Sequence, residues 1–370
     1  MFTKKNDIEE ADSVVSENES SVSTNPSMYL MANCKLYEIA GDKNGLKEIS
    51  FKNNTRINCF NKKILKNEYE FVRPVYDDVI SDDISLSSRY LLDTKKKEIN
   101  EVKYNTDNPS AAVYNSVNGK LYTYIVTDGI YEGIPTNPLS RKIMDYPTII
   151  YGRGSAYTDD FSLSLSPGKD KLMLVDTFSS EVEGSSSNYK QILIINLRGD
   201  VNYSIKGSFA RWIDQAHVVY LNISDESLYK EKVVVEEIGT ELKTVLPVEG
   251  RVYHMDVNPE AGLLLVGYFD GTEGFEVEQL KTAVFDLDGY RLLDTLEGTF
   301  AYAYALDKNN LIAKTTRNCV RFIDEVAEFG CPLDGELGFY ETEIVLYDLR
   351  TSEKKQLLTY NKPDLAIWID

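Results

Sequence analysis

The chain is poor in the residues that most enzymes and metal sites use. Among 370 residues there are two histidines, four cysteines and no Cys-x-x-Cys pair. A tetrahedral zinc centre therefore lacks its ligand pattern, and no metal or other cofactor is expected. There is no Gly-x-Ser-x-Gly elbow, and Gly152-Arg-Gly-Ser-Ala156 is out of register for one. A nucleophilic triad thus lacks its signature, and His217 and His254 read as ordinary strand histidines. No 18 consecutive residues are apolar, so no transmembrane segment is expected. The N-terminus also lacks the apolar core of a signal peptide. Basic residues are scarce, 40 against 59 acids, for a net charge of −19. Such a chain repels phosphate backbones, which argues against a nucleic-acid partner. Lys95-Lys-Lys97 reads as a turn rather than a basic patch.

What is present is apolar residue in short runs. The hydrophobic fraction, 42%, is enough for a globular core. Residues 1–27 stand apart, crowded with Glu, Asp, Ser, Asn and Thr. A segment with so little to bury is expected to be a disordered acidic tail, leaving 28–370 as the folded domain. The stretch 161–206 shows the organisation. Phe161-Ser-Leu-Ser-Leu165, Lys171-Leu-Met-Leu-Val175, Gln191-Ile-Leu-Ile-Ile195 and Val201-Asn-Tyr-Ser-Ile205 are four strand-like runs. Pro, Gly, Asn, Asp and Ser fill the gaps between them.

The pattern recurs. The turn after each unit's first strand falls at Pro167, Asp214, Pro259 and Asp307, at intervals of 47, 45 and 48 residues. Each is followed by an apolar run, at Lys171, Val218, Leu263 and Leu311. Four strands per period of 40–50 residues is the signature of a propeller blade. The fold class is therefore all-β, a single β-propeller with units near 55–105, 108–155, 156–206, 207–248, 249–298 and 299–360. The C-terminal Leu365-Ala-Ile-Trp-Ile-Asp370 echoes Phe209-Ala-Arg-Trp-Ile-Asp214, and the strands from Tyr29 lack a first strand of their own. Pairing of the two would close the ring and give about seven blades, with six as the alternative count.

Two of these segments also resemble a known family. Leu165-Ser-Pro-Gly-Lys-Asp-Lys-Leu-Met-Leu-Val175 and Ile192-Leu-Ile-Ile-Asn-Leu-Arg-Gly199 are similar to the TolB-type or WD-like propeller repeat. Phe285-Asp-Leu-Asp-Gly289 and Glu343-Ile-Val-Leu-Tyr-Asp-Leu349 fit its second half. The resemblance covers residues 110–370. It implies a propeller that serves as a protein-binding platform, a sensor, or a gate before a hydrolase domain.

Candidate sites come from what the repeat does not need. Asp128–Pro147 and Arg317–Tyr340 are expected as long loops, and loops carry function. Tyr131, Ile134, Leu139 and Tyr146 in the first, with Phe322, Ile323, Phe329 and Leu333 in the second, mix apolar centres with acids. That is interface anatomy, with Tyr131 and Phe322 as expected anchors. The competing reading is that each loop folds onto its own blade. Cys319 and Cys331 bracket the second segment, where a disulfide would contribute about 3 kcal/mol; two reduced thiols are the alternative. Asp286-Leu-Asp-Gly289 reads as a tight turn, not a calcium loop. Asp77, Asp78, Asp82 and Asp83 read as a solvated loop. Function is thus expected to be non-enzymatic binding of a protein or peptide by a monomer. The alternative is a glycan-acting enzyme using channel carboxylates. The tail and the cysteine-bracketed insertion favour a periplasmic or cell-surface setting, with the cytoplasm as the alternative.

Overall fold

The structure is a computed structural model. It describes residues 28–32, 35–39, 46–49, 63–65, 69–72, 88–93, 96, 98–104, 111–126, 128–146, 162–182, 185–222, 232–269, 280–297, 300–319 and 340–360. The tail 1–27, Asp77–Asp83, Phe322, Phe329, Cys331 and Leu365–Asp370 lie outside these. The described residues are all-β and form antiparallel sheets, six of four strands and one of three.

Sheet 1 holds β1 (Met28–Ala32), β2 (Lys35–Ile39), β3 (Leu46–Ile49) and β4 (Lys63–Leu65) in the order β3-β2-β1-β4. Sheet 2 holds β5 (Tyr69–Val72), β6 (Ser88–Asp93) and β7 (Glu98–Lys103). Sheet 3 is β8 (Ala111–Asn115), β9 (Lys120–Ile125), β10 (Gly129–Ile134) and β11 (Asn137–Asp145). Sheet 4 is β12 (Ser162–Leu165), β13 (Lys171–Val182), β14 (Ser185–Asn196) and β15 (Val201–Lys206). Sheet 5 is β16 (Ser208–Trp212), β17 (His217–Asn222), β18 (Lys232–Glu237) and β19 (Lys243–Val245). Sheet 6 is β20 (Arg251–Asn258), β21 (Leu263–Phe269), β22 (Leu280–Asp286) and β23 (Leu292–Glu297). Sheet 7 is β24 (Phe300–Ala305), β25 (Asn310–Cys319), β26 (Tyr340–Asp348) and β27 (Glu353–Tyr360). In sheets 3 to 7 the strands are paired in chain order.

The middle strands of sheets 3 to 6 are apolar on both pleat faces because each of these sheets is covered on both sides. In β13, Leu172 and Leu174 pack with Tyr122 and Tyr124 of sheet 3. The alternate residues Met173 and Val175 pack with Trp212, Val218 and Tyr220 of sheet 5. Val219, Leu221, Val233 and Val235 then meet Met255, Leu264, Val266 and Phe285 of sheet 6. Leu263, Leu265 and Val284 meet Ala303, Leu311 and Val345 of sheet 7. Leu91, Val102 and Tyr104 of sheet 2 meet Leu121 of sheet 3. Each such side chain contributes about 1.5–3 kcal/mol on burial. Every sheet in the run from 2 to 7 is therefore stacked on its neighbour in sequence.

Two expectations are corrected. Asp128–Pro147 is not a long loop. Its residues make β10 and β11, a hairpin turning at 135–136. Pro138 fits because β11 is an edge strand, where a missing N–H costs no ladder bond. The strands from Tyr29 do not lack a fourth member either: β4 pairs with β1 through Tyr29↔Leu65 and Met31↔Lys63. That edge of β1 is where a closing C-terminal strand was expected.

Candidate functional site

Sheets 3 and 4, 4 and 5, and 6 and 7 are joined at one end by hydrogen bonds between their turns or strand ends. Asn115 Nδ2, at the end of β8, donates to the Lys169 carbonyl in the turn after β12, at 2.8 Å. Gly168 N–H of that turn donates to Gln215 Oε1 in the turn after β16, at 2.7 Å. Lys171 Nζ donates to the Gln215 carbonyl, at 3.3 Å. Asn258 Nδ2, at the end of β20, donates to the Ala305 carbonyl at the end of β24, at 2.7 Å. First strands of these sheets therefore end on the same side, and short polar turns tie that side together. This is the stitched end. Second and third strands connect at the opposite end, through 126–128, 183–184, 223–231, 270–279 and 320–339. The insertion singled out in the sequence belongs to this second set.

The sequence-predicted residues divide accordingly. Tyr131 lies on β10 and is half-buried. Its hydroxyl donates to Asp128 Oδ2 at 2.7 Å. Lys142 sits 5.3 Å from the centre of its ring and pairs with Asp128. The Lys142 ammonium, then the Tyr131 hydroxyl, hold the Asp128 carboxyl below the usual carboxylate range, and Asp128 in turn raises the Tyr131 hydroxyl. Tyr146 follows β11 and packs beside Tyr124, Leu163 and Leu174. Burial, then the charge of Asp176, raises its hydroxyl. Tyr131 and Tyr146 flank the 126–128 connection, at the end opposite the stitched turns. Ile134 does not join them: it sits by the 135–136 turn and is 43% exposed. Phe322 and Phe329 lie outside the described residues, as does Cys331, so the proposed disulfide with Cys319 rests on sequence alone.

Sequence reasoning missed a set of buried acids at the sheet interfaces. Asp176 is 2% exposed and accepts from the Tyr124 hydroxyl across sheets 3 and 4. Burial, then the Asp176 charge, pushes Tyr124 well above the usual tyrosine value. Glu236 is 1% exposed. It accepts from Tyr203 of sheet 4 at 2.7 Å and from Tyr220 of its own sheet at 2.6 Å, and pairs with Lys243 at 3.1 Å. Tyr203 is pushed up to about 12, first by its bond to Glu236 and then by burial. Asp256 accepts from Ala305 N–H of sheet 7 at 3.0 Å. A legible signal existed: Asp176 and Glu236 each end an apolar run, Leu172–Val175 and Val233–Val235. A carboxylate there is carried into the interior and must be paired.

The two histidines are tied into the fold. His254 Nε2–H donates to the Ala303 carbonyl at 2.9 Å. His217 Nδ1 lies 2.9 Å from Asp214 Oδ2 within one turn. The Asp286–Gly289 stretch is a turn, with Asp288 N–H donating to Asp286 Oδ1 at 3.0 Å. Among the described residues no group of three or more metal-ligating side chains comes together. No helix among them is long and apolar enough to cross a membrane.

No family model and no curated protein sequence matches the chain. Solved structures do. A putative TolB from Agrobacterium tumefaciens is similar over 74% of this chain and 89% of its own, with 12% identity and a TM-score of 0.40. TolB from Acinetobacter baumannii is similar over 74% of this chain and 61% of its own, with 10% identity and a TM-score of 0.39. An oligogalacturonate lyase in complex with manganese is similar over 73% of this chain and 70% of its own, with 9% identity and a TM-score of 0.44. The chain resembles TolB and other β-propeller proteins. The likeness concerns the fold.

Proposed function

We propose that the chain is a non-enzymatic β-propeller that binds a protein or peptide partner at the cell envelope, acting as a monomer. In this reading the seven sheets are blades and close into a ring. One observation supports it above others. The two ends of the sheets differ: one is stitched by turn-to-turn hydrogen bonds, and the other carries the longer connections and the Asp128–Tyr131–Lys142 group. Tyr131 suits an anchor because Asp128 and Lys142 already fix its rotamer, so little side-chain entropy is lost on binding. Tyr146 is proposed to share that end; Phe322 and Phe329 are proposed as further contact residues on the sequence alone.

The glycan-enzyme reading needs two acids converging about 5–10 Å apart. Three of the described buried acids instead serve three different interfaces: Asp176 between sheets 3 and 4, Glu236 between 4 and 5, Asp256 between 6 and 7. Immobilise the intact protein, recover its partner from the envelope fraction of the cells that make it, and titrate that partner against Tyr131→Ala and Ile134→Ser. Tyr131→Ala should weaken binding about tenfold with an unchanged melting temperature, and Ile134→Ser should not. Cleavage of an oligosaccharide by a protein that retains no partner would overturn the reading.

A further inference from the structure

Sheet 4 carries a ribbon that its own sheet does not cover. β13 and β14 are twelve residues each and pair in register from Lys171↔Asn196 to Val182↔Ser185. β12 pairs only with Leu172 to Val175. β15 pairs only with Gln191 to Ile195. Six pairs, Thr177↔Lys190 to Val182↔Ser185, therefore have no third strand beside them among the described residues. That is about 20 Å of two-stranded ribbon, standing at the end opposite the stitched turns.

Among the described residues the edge on the β14 side is open because of the chain path. β15 ends at Lys206, and after Gly207 the chain enters β16, where Ser208 pairs with Leu221 of sheet 5. Gly207 is fixed in that path: a Cβ on it would lie 2.6 Å from the Leu221 carbonyl oxygen. β15 thus cannot continue along Ser185–Lys190. Exposed edges are normally blunted by a bulge, a proline or a lysine. Here the register runs without a bulge, residues 185–189 hold neither proline nor lysine, and Lys190 stands at the base. A two-stranded ribbon is also marginal by itself in water.

We propose that the Ser185–Lys190 edge receives an extended basic segment of a partner protein, which adds to β14 as a further strand. This rests on the binding-platform reading and specifies its mode. Main-chain bonds to the open edge supply affinity, as in strand addition generally. Charge selects the occupant. The chain carries −19, so it attracts a basic strand and repels a second copy of itself. The segment 177–190 is also net acidic by sequence, with two glutamates to one lysine.

The test uses an eight-residue peptide of alternating Lys and Val, a matching Glu and Val peptide, and fluorescence anisotropy at low and high salt. Three variants of the full chain are compared with the parent. One replaces residues 177–190 by Asn-Gly, so that Asp176 and Gln191 close a tight hairpin. The others, Ser186→Pro and Ser187→Pro, each remove one N–H, and in an antiparallel pair one of the two faces outward. The Lys/Val peptide should bind the parent, at least tenfold weaker to the shortened chain and to one proline variant, and weaker in salt; the Glu/Val peptide should not bind. Equal affinity for the shortened chain, no binding to the parent, or a ribbon-dependent dimer in sedimentation would overturn the proposal. If the shortened chain still retains the native partner, the edge is wrong and the platform reading stands. If the parent retains no partner, the platform reading itself fails.

Discussion

Gly199 sits where sheet 4 touches the backbone of sheet 3, and Gly199→Ala probes that contact. The residue turns from β14 to β15 with φ of 100°. A Cβ on it would lie 2.6 Å from the Ile143 carbonyl carbon on β11. Two costs follow. A side chain in this backbone region costs about 1–2 kcal/mol. Relieving the overlap by shifting a packed strand costs about 1–3 kcal/mol more. The sum is about 2–5 kcal/mol, equivalent to a fall of roughly 3–6 °C in melting temperature for a chain of this length. Gly289→Ala is the control. It occupies the equivalent turn of sheet 6 with φ of 83° and nothing within 4 Å of its added Cβ. It should lose only the conformational part, about 1–2 kcal/mol. The difference between the variants, read by urea or thermal unfolding, isolates the contact between sheets 3 and 4. Equal losses would refute the close approach, and with it the stacking of these sheets through β11.

Other outcomes follow from the interface acids. Glu236→Gln should cost about 2–4 kcal/mol, because two tyrosine hydroxyls and Lys243 lose a charged acceptor in a buried position; chemical denaturation checks it. The Tyr203 hydroxyl is raised from 10.0 to about 12 in the folded protein, so the fold favours its protonated form. That contribution is complete below pH 10 and is lost as pH rises from 10 to about 12. Alkaline unfolding curves should steepen across this window, and Tyr203→Phe should flatten them. Asn115→Ala removes both the bond to Lys169 and the acceptor for Val117 N–H. It should cost about 1–3 kcal/mol, without the pH dependence of the Tyr203 contact.

Much of the architecture was written in the spacing of turns. Pro167, Asp214, Pro259 and Asp307 all fall in the turns after first strands, because a fixed strand length forces turn residues to recur. The runs at Lys171, Val218, Leu263 and Leu311 became second strands, the first three buried on both faces by neighbouring sheets. Residues 128–147 misled because three prolines in a short stretch suggest a loop. Pro135 occupies a turn and Pro138 an edge strand, where neither breaks a ladder. β4 is only Lys63–Leu65, and a three-residue strand gives little alternation from which to fix its bounds or its partner. Tyr131 was picked as an aromatic in an expected long loop; its tie to Asp128 and Lys142 depends on strand pairing, which spacing alone does not give. Asp176 and Glu236 went unnoticed among 59 acids, although each ends an apolar run that carries its carboxylate inward.

Hydrogen–deuterium exchange of the intact protein, alone and with its recovered partner, bears most directly on the two-ended molecule. Binding should slow exchange around Asp128–Tyr131, Tyr146 and Ser185–Lys190, and leave the turns at 116–119, 167–170 and 213–216 unchanged. Slowed exchange confined to those turns would place the partner on the stitched end and contradict the proposal.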